Sequence, residues 1–103
     1  MERLRAAAGR GVPRFVSGDL QLRQNQWVVV VSNDPVYVAL PASPQAGWWV
    51  EVGRAGRGTV TVGRSGATIL GLAEDFVLDV EPCSAYFVYD GTTWRVQSTG
   101  GWA

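Results

Sequence analysis

Residues 48–66, WWVEVGRAGRGTVTVGRSG, constrain this chain more than any other stretch. Within them residues 50–56 and 60–66 nearly repeat each other ten positions apart, each reading Val-x-Val-Gly-Arg-small-Gly. The alternation of β-branched residues predicts a strand of period two, and the glycine behind each strand predicts a reversal through a positive φ. Two such strands form a hairpin, and a lone hairpin cannot bury its own apolar face. The flanking segments must supply partner strands, so the chain is predicted to be all-β.

Those partners are legible. Residues 26–32, QWVVVVS, are apolar on both faces, and Asn33-Asp34-Pro35 turns the chain into 36–40, where Val36, Val38 and Leu40 oppose Tyr37 and Ala39. Pro41 and Pro44 stiffen the connection that follows. In the central strand Trp48, Val50 and Val52 share the expected core face, with Trp49 and Glu51 opposite; Val60 and Val62 also point inward. Residues 67–71 are a short apolar stretch leading into a loop or one helical turn. Residues 76–80 and 85–89 follow as strands. Asp90-Gly91 signals a hairpin closed by 92–97, with Trp94 and Val96 inward. With an extended segment at 15–22, the count is about seven strands. The predicted fold is an antiparallel β-sandwich or jelly-roll-like barrel over 15–97, with an extended arm at 1–14 and a tail at 98–103.

A single domain of 103 residues has little interior, yet this one carries five Trp. The excess predicts self-association, with Trp27, Trp49, Tyr37, Phe87 and Tyr89 as candidate subunit-interface residues. Formal net charge is zero but unevenly spread. The arm holds Arg3, Arg5, Arg10 and Arg14 against Glu2, a balance of +3 that leaves −3 on the body. A basic arm on an acidic body suits docking to an acidic neighbour or to another copy. No aromatics interleave with these arginines, so nucleic acid is not an expected partner.

Catalytic equipment is missing from the composition. There is no His and no Lys, which removes the commonest general base, metal ligand and Schiff-base former. Cys83 stands alone, which excludes an intramolecular disulfide and a cysteine zinc cluster; it is expected to be structural. Glu74, Asp75, Asp79 and Glu81 match no calcium-loop spacing and read as solvated charges. The glycine-arginine run at 53–66 leads into no helix and lacks Gly-Lys-Ser/Thr, so it reads as turns with solvated arginines rather than a phosphate loop. No enzyme, cofactor or metal is predicted. The longest uncharged apolar run, 27–31, is too short to span a bilayer, and 1–14 lacks the apolar segment of a secretory signal, so synthesis in the cytoplasm is expected.

From Trp27 onward the order of motifs resembles a small β-structured module of tailed-bacteriophage virion proteins. The matching pieces are QWVVVVS, VYVALP with its proline-rich turn, Gly47 leading into WWVEV, the Gly-Arg turns, TVTV, GATILG and the closing AYFVYDGTTWRV. They cover most of the chain and are marks of the fold, so no individual contact residue transfers with them. The resemblance implies a virion structural protein, commonly trimeric, with the major capsid protein as partner and the capsid surface as location. A chain beginning at Met1 and ending soon after its last strand is expected to be a freestanding capsid decoration protein. The alternative is a tail-fibre or baseplate adhesin module that binds a host receptor or glycan.

Overall fold

The computed structural model describes residues 12–80 and 82–99, and Arg3, Arg5 and Arg10 lie outside them. The described chain is all-β, two sheets with ten strands and no helix. The strands are β1 (Arg14–Val16), β2 (Leu20–Gln21), β3 (Gln26–Val30), β4 (Val36–Ala39), β5 (Trp49–Arg54), β6 (Val60–Gly63), β7 (Thr68–Ile69), β8 (Phe76–Leu78), β9 (Ser84–Tyr89) and β10 (Thr93–Thr99). Sheet A runs β1-β3-β5-β9-β10-β7 and sheet B runs β2-β4-β6-β8. Arg14 thus opens the first strand rather than closing the arm, and Ser98 and Thr99 belong to the last strand rather than the tail.

The two-sheet sandwich stands, but its pairing is largely not antiparallel. β1 pairs with β3 and β3 with β5 in parallel, as do β2 with β4, β4 with β6, and β7 with β10. Antiparallel pairing is confined to β5–β9, β9–β10 and β6–β8. The first six strands are therefore three stacked coils, each laying one strand in sheet A and the next in sheet B. Val28 lies beside Val52 and Val36 beside Val60, so the second and third coils keep one sequence offset in both sheets. The predicted hairpin of 50–56 and 60–66 does not form, because β5 and β6 sit in different sheets. The physical reason lies in the connections. Residues 55–58 run directly over 31–34, with Ala55 N–H donating to Val30 O (2.9 Å) and Gly58 N–H to Ser32 O (2.8 Å). A side chain at Gly56 or Gly58 would collide with the backbone of Ser32 or Asp34. These glycines serve close backbone approach; of the motif glycines only Gly66 adopts a left-handed φ (92°), next to Ser65 at 52°.

Arg54 also departs from its expected place in solvent. Its side chain is only 12% exposed and clamps the coil edge, donating from Nε to Gly58 O (2.8 Å), from Nη2 to Arg57 O (2.7 Å) and from Nη1 to Asp79 O (3.0 Å). It is a structural cross-brace, not a solvated turn residue. Arg64 likewise donates from Nη1 to Ala67 O (3.1 Å), and its N–H meets Asp75 Oδ1 (3.0 Å).

The core lies between the sheets. Val28, Val30, Val50, Val52, Phe87 and Trp94 of sheet A meet Val36, Val38, Val60, Val62 and Leu78 of sheet B, all buried. Phe76 stands edge-on to Phe87 at 5.5 Å, and Tyr89 packs edge-on against Trp94 at 5.3 Å. The indole N–H of Trp94 has no acceptor among the described residues. That costs about 1–3 kcal/mol, less than the roughly 4–6 kcal/mol gained by burying such a ring. Free Cys83 is buried in the turn between β8 and β9. The predicted β9–β10 hairpin is present, with Trp94 opposite Tyr89 and Gly91 at φ 98°.

Candidate interaction surface

Each sheet has a second face, turned away from the core, and side-chain alternation decides what it shows. On sheet A, register places Trp27, Glu51, Tyr86 and Gln97 in one row across β3, β5, β9 and β10. Trp49, Val88 and Arg95 form the row on one side of it, and Val29, Gly53 and Ser84 the row on the other. Trp49 and Tyr86 are tilted ring neighbours at 6.0 Å. This face is not solvated in the ordinary way. Trp27 is 8% exposed, Val29 4%, Glu51 3% and Ser84 1%, although sheet B covers the opposite side. A shallow open groove of about 170 Å³ lies at the β9–β10 end, lined by Tyr86, Val88, Arg95, Val96 and Gln97.

On sheet B the outward row is Tyr37, Thr61 and Val77 across β4, β6 and β8. Tyr37 and Val77 are exposed. The Tyr37 ring reaches diagonally across β6 so that its hydroxyl lies over Gly63, where any Cβ would collide with it. Glycine there lets the aromatic lie flat and cover the strand.

The β7–β8 connection adds apolar surface at one edge. Ile69 and Leu72 exchange both backbone hydrogen bonds (3.0 and 2.9 Å), making a two-residue turn with Leu70 at φ 53° and Gly71 at φ 76°. The predicted loop follows at residues 73–75, without a helical turn. A left-handed φ suits Gly71 but costs a leucine roughly 1–2 kcal/mol. Leu70 N–H donates to Trp94 O (2.8 Å) and Gly71 N–H to Thr93 Oγ1 (2.9 Å), which hold the turn in place. Leu70 and Leu72 are exposed, as is Val80 just beyond β8.

The predicted interface residues are therefore dispersed. Trp27 and Trp49 share the outward face of sheet A, and Tyr37 lies on the outward face of sheet B. Phe87 is fully enclosed in the core and Tyr89 is half-buried against Trp94, so Phe87 offers nothing to a second subunit. Their strand is apolar on both faces, and only register tells which residue turns out: it is Tyr86, which the sequence reading passed over. Of the arm arginines, Arg14 is exposed on edge strand β1. Among the described residues no three of His, Cys, Asp and Glu come together as a metal site; Asp75 accepts from Arg64, and Asp79 lies 3.7 Å from Arg54.

At the tip of the β9–β10 hairpin Asp90 accepts from Thr92 N–H (2.8 Å), Thr93 N–H (2.9 Å) and Arg95 Nε (2.7 Å). The Thr93 and Thr92 amides, with Arg95 beside them, lower its pKa from 3.8 to about 2. The arrangement as a whole offers surfaces for contact. No protein-family model matches the chain, and no curated protein matches it at significant similarity.

Proposed function

We propose that this chain is a non-catalytic structural module of a tailed-phage virion: a homotrimeric decoration protein seated on the capsid surface against the major capsid protein. The resemblance from Trp27 onward supplies the class. The observation that carries the contact role is Leu70, an exposed leucine held in a left-handed turn that asparagine or glycine would occupy at less cost. Strain of this kind persists where the side chain is used. Leu70 and Leu72 lead into β8, whose Val77 extends the apolar surface toward Tyr37. A stable contact needs about 800 Å² per partner, and this edge with the outward row of sheet B is the surface offered for it.

Co-sedimentation with DNA-filled heads that lack tails tests the reading. Saturable binding at many copies per head, weakened by Leu70→Asn, is the expected result. Absence of binding to heads would overturn it. A second reading, a tail-fibre or baseplate adhesin, is favoured by the groove where the Tyr86 ring stands beside Arg95 and Gln97, a planar face next to hydrogen-bonding side chains. Attachment to cells or tails instead of heads, abolished by Tyr86→Ala, would establish that alternative.

A further inference from the structure

Both sheets end in the same two places. Strands β1 and β2 stand at one end, β7 and β8 at the other, and among the described residues each has a paired strand on one side only. We infer that the β1–β2 end of one copy, centred on Phe15, receives the β7–β8 end of a second copy, centred on Leu70 and Val77. The number of copies rests on the trimeric reading above; the contact itself rests on topology, exposure and charge.

The two ends cannot meet within one molecule, because five strand spacings separate β1 from β7 in sheet A, about 24 Å. Val12 and Phe15 are 87% and 68% exposed at the first end, and Leu70, Leu72, Val77 and Val80 are exposed at the second. Charges commonly blunt an open edge; here they frame apolar side chains instead. At the first end stand Arg14 and Arg23, both exposed, while Asp19 is committed to the Tyr37 N–H (2.9 Å). At the second stand Glu74, Asp75 and Asp79, all exposed. Arg54 and Arg64 on that side direct guanidinium donors to carbonyls, and Asp79 sits 3.7 Å from Arg54. Like ends therefore repel. Two β8 edges meeting about a two-fold axis at Val77 would set each Asp75 opposite the other copy's Asp79, gathering four carboxylates at one seam. Unlike ends attract, and a contact between unlike patches either closes as a ring or runs on as a fibre. The trimeric reading selects the ring.

The experiment mixes two whole-chain variants, Phe15→Asp and Val77→Asp, each of which spoils one end and leaves the other intact. Both side chains are exposed, so both variants should fold. Sedimentation reads the mass against that of the 11.1 kDa chain. Unaltered protein should sediment at three times that mass, and each variant alone as a monomer, its association weakened at least about tenfold. Mixed, the two should form a heterodimer and stop there, since one intact contact remains per pair. A trimer that Val77→Asp dissolves and Phe15→Asp does not would make the contact a meeting of like ends and overturn the inference. So would mixed variants that stay monomeric. Arg14→Glu and Glu74→Arg, each weakening association about tenfold, should restore it when combined in one chain, and additive losses would overturn the charge assignment. Binding to heads is measured separately on the same proteins. Heads decorated by a chain that is monomeric in every form would leave the capsid reading standing and remove this contact, whereas trimers that ignore heads would do the reverse. If Phe15→Asp lowers head binding without changing the mass of the free protein, the first end meets the capsid and the inference is wrong.

Discussion

A methyl group at position 58 would occupy the space of the Asp34 carbonyl. Gly58→Ala is therefore expected to destabilise the fold by about 2 kcal/mol or more, since the collision is with backbone that cannot step aside. Gly18→Ala, with open space around it and no positive φ, should be neutral or stabilising by about 0.5 kcal/mol. Urea midpoints of the two variants check the contrast. Arg54→Ala leaves the carbonyls of Arg57, Gly58 and Asp79 without their donor and should cost about 2 kcal/mol by the same assay. Leu70→Asn runs the other way and should stabilise the free protein by about 1 kcal/mol, while lowering self-association measured by sedimentation. The sequence announced glycine and arginine in regular places but not their duty. A glycine that turns a chain and a glycine that admits a neighbouring backbone read identically until the neighbour is known.

Among the elements, the β9–β10 hairpin was the most legible, because Asp90-Gly91 encodes its own turn chemistry within a few residues. It also carries a pH signature. The folded pKa of Asp90, about 2, lies below its ordinary 3.8, so its stabilising contribution is complete above pH 3.8 and lost as pH falls through about 2. Asp90→Ala should lower the thermal midpoint at neutral pH and flatten its slope between pH 3.8 and 2, with the two proteins converging at the acid end. Unchanged slope would refute the role assigned to Asp90. The β5–β6 segment was misread for a reason of range. Period-two alternation tells which residues face inward, and Val50, Val52, Val60 and Val62 all do. It cannot tell whether the next strand returns beside the first or crosses to another sheet. That choice rests on contacts one whole coil back along the chain, where Ser32 and Asp34 lie under Gly56 and Gly58. The same offset sets Trp27 beside Glu51, so Trp27 and Trp49 were legible as separate candidates but not as members of one sheet A face.

For the molecule as a whole, the all-β class and the two-faced apolar character of residues 26–32 were accessible from composition and pattern. The distribution of surfaces between two sheets was not, since it follows from register. A prediction belongs at this scale: Val77→Asp, on the outward face of edge strand β8, should leave the urea midpoint within about 0.5 kcal/mol while dispersing any assembly seen by sedimentation. Retained assembly would place the contact elsewhere. The stacked coils carry one more consequence, for how such a chain can grow. Because one interval separates Val28 from Val52 in sheet A and Val36 from Val60 in sheet B, length is quantised. Duplicating the stretch from Val28 up to Glu51 would add one strand to each sheet and extend the stack by about 4.8 Å. The β1–β2 end and the antiparallel lid of β8, β9 and β10 would be left intact. An insertion of any other length inside a strand would turn core valines toward water or slide the glycine connections off their footing. The architecture thus behaves as a ruler graduated in coils, adjustable in height without a change to either end.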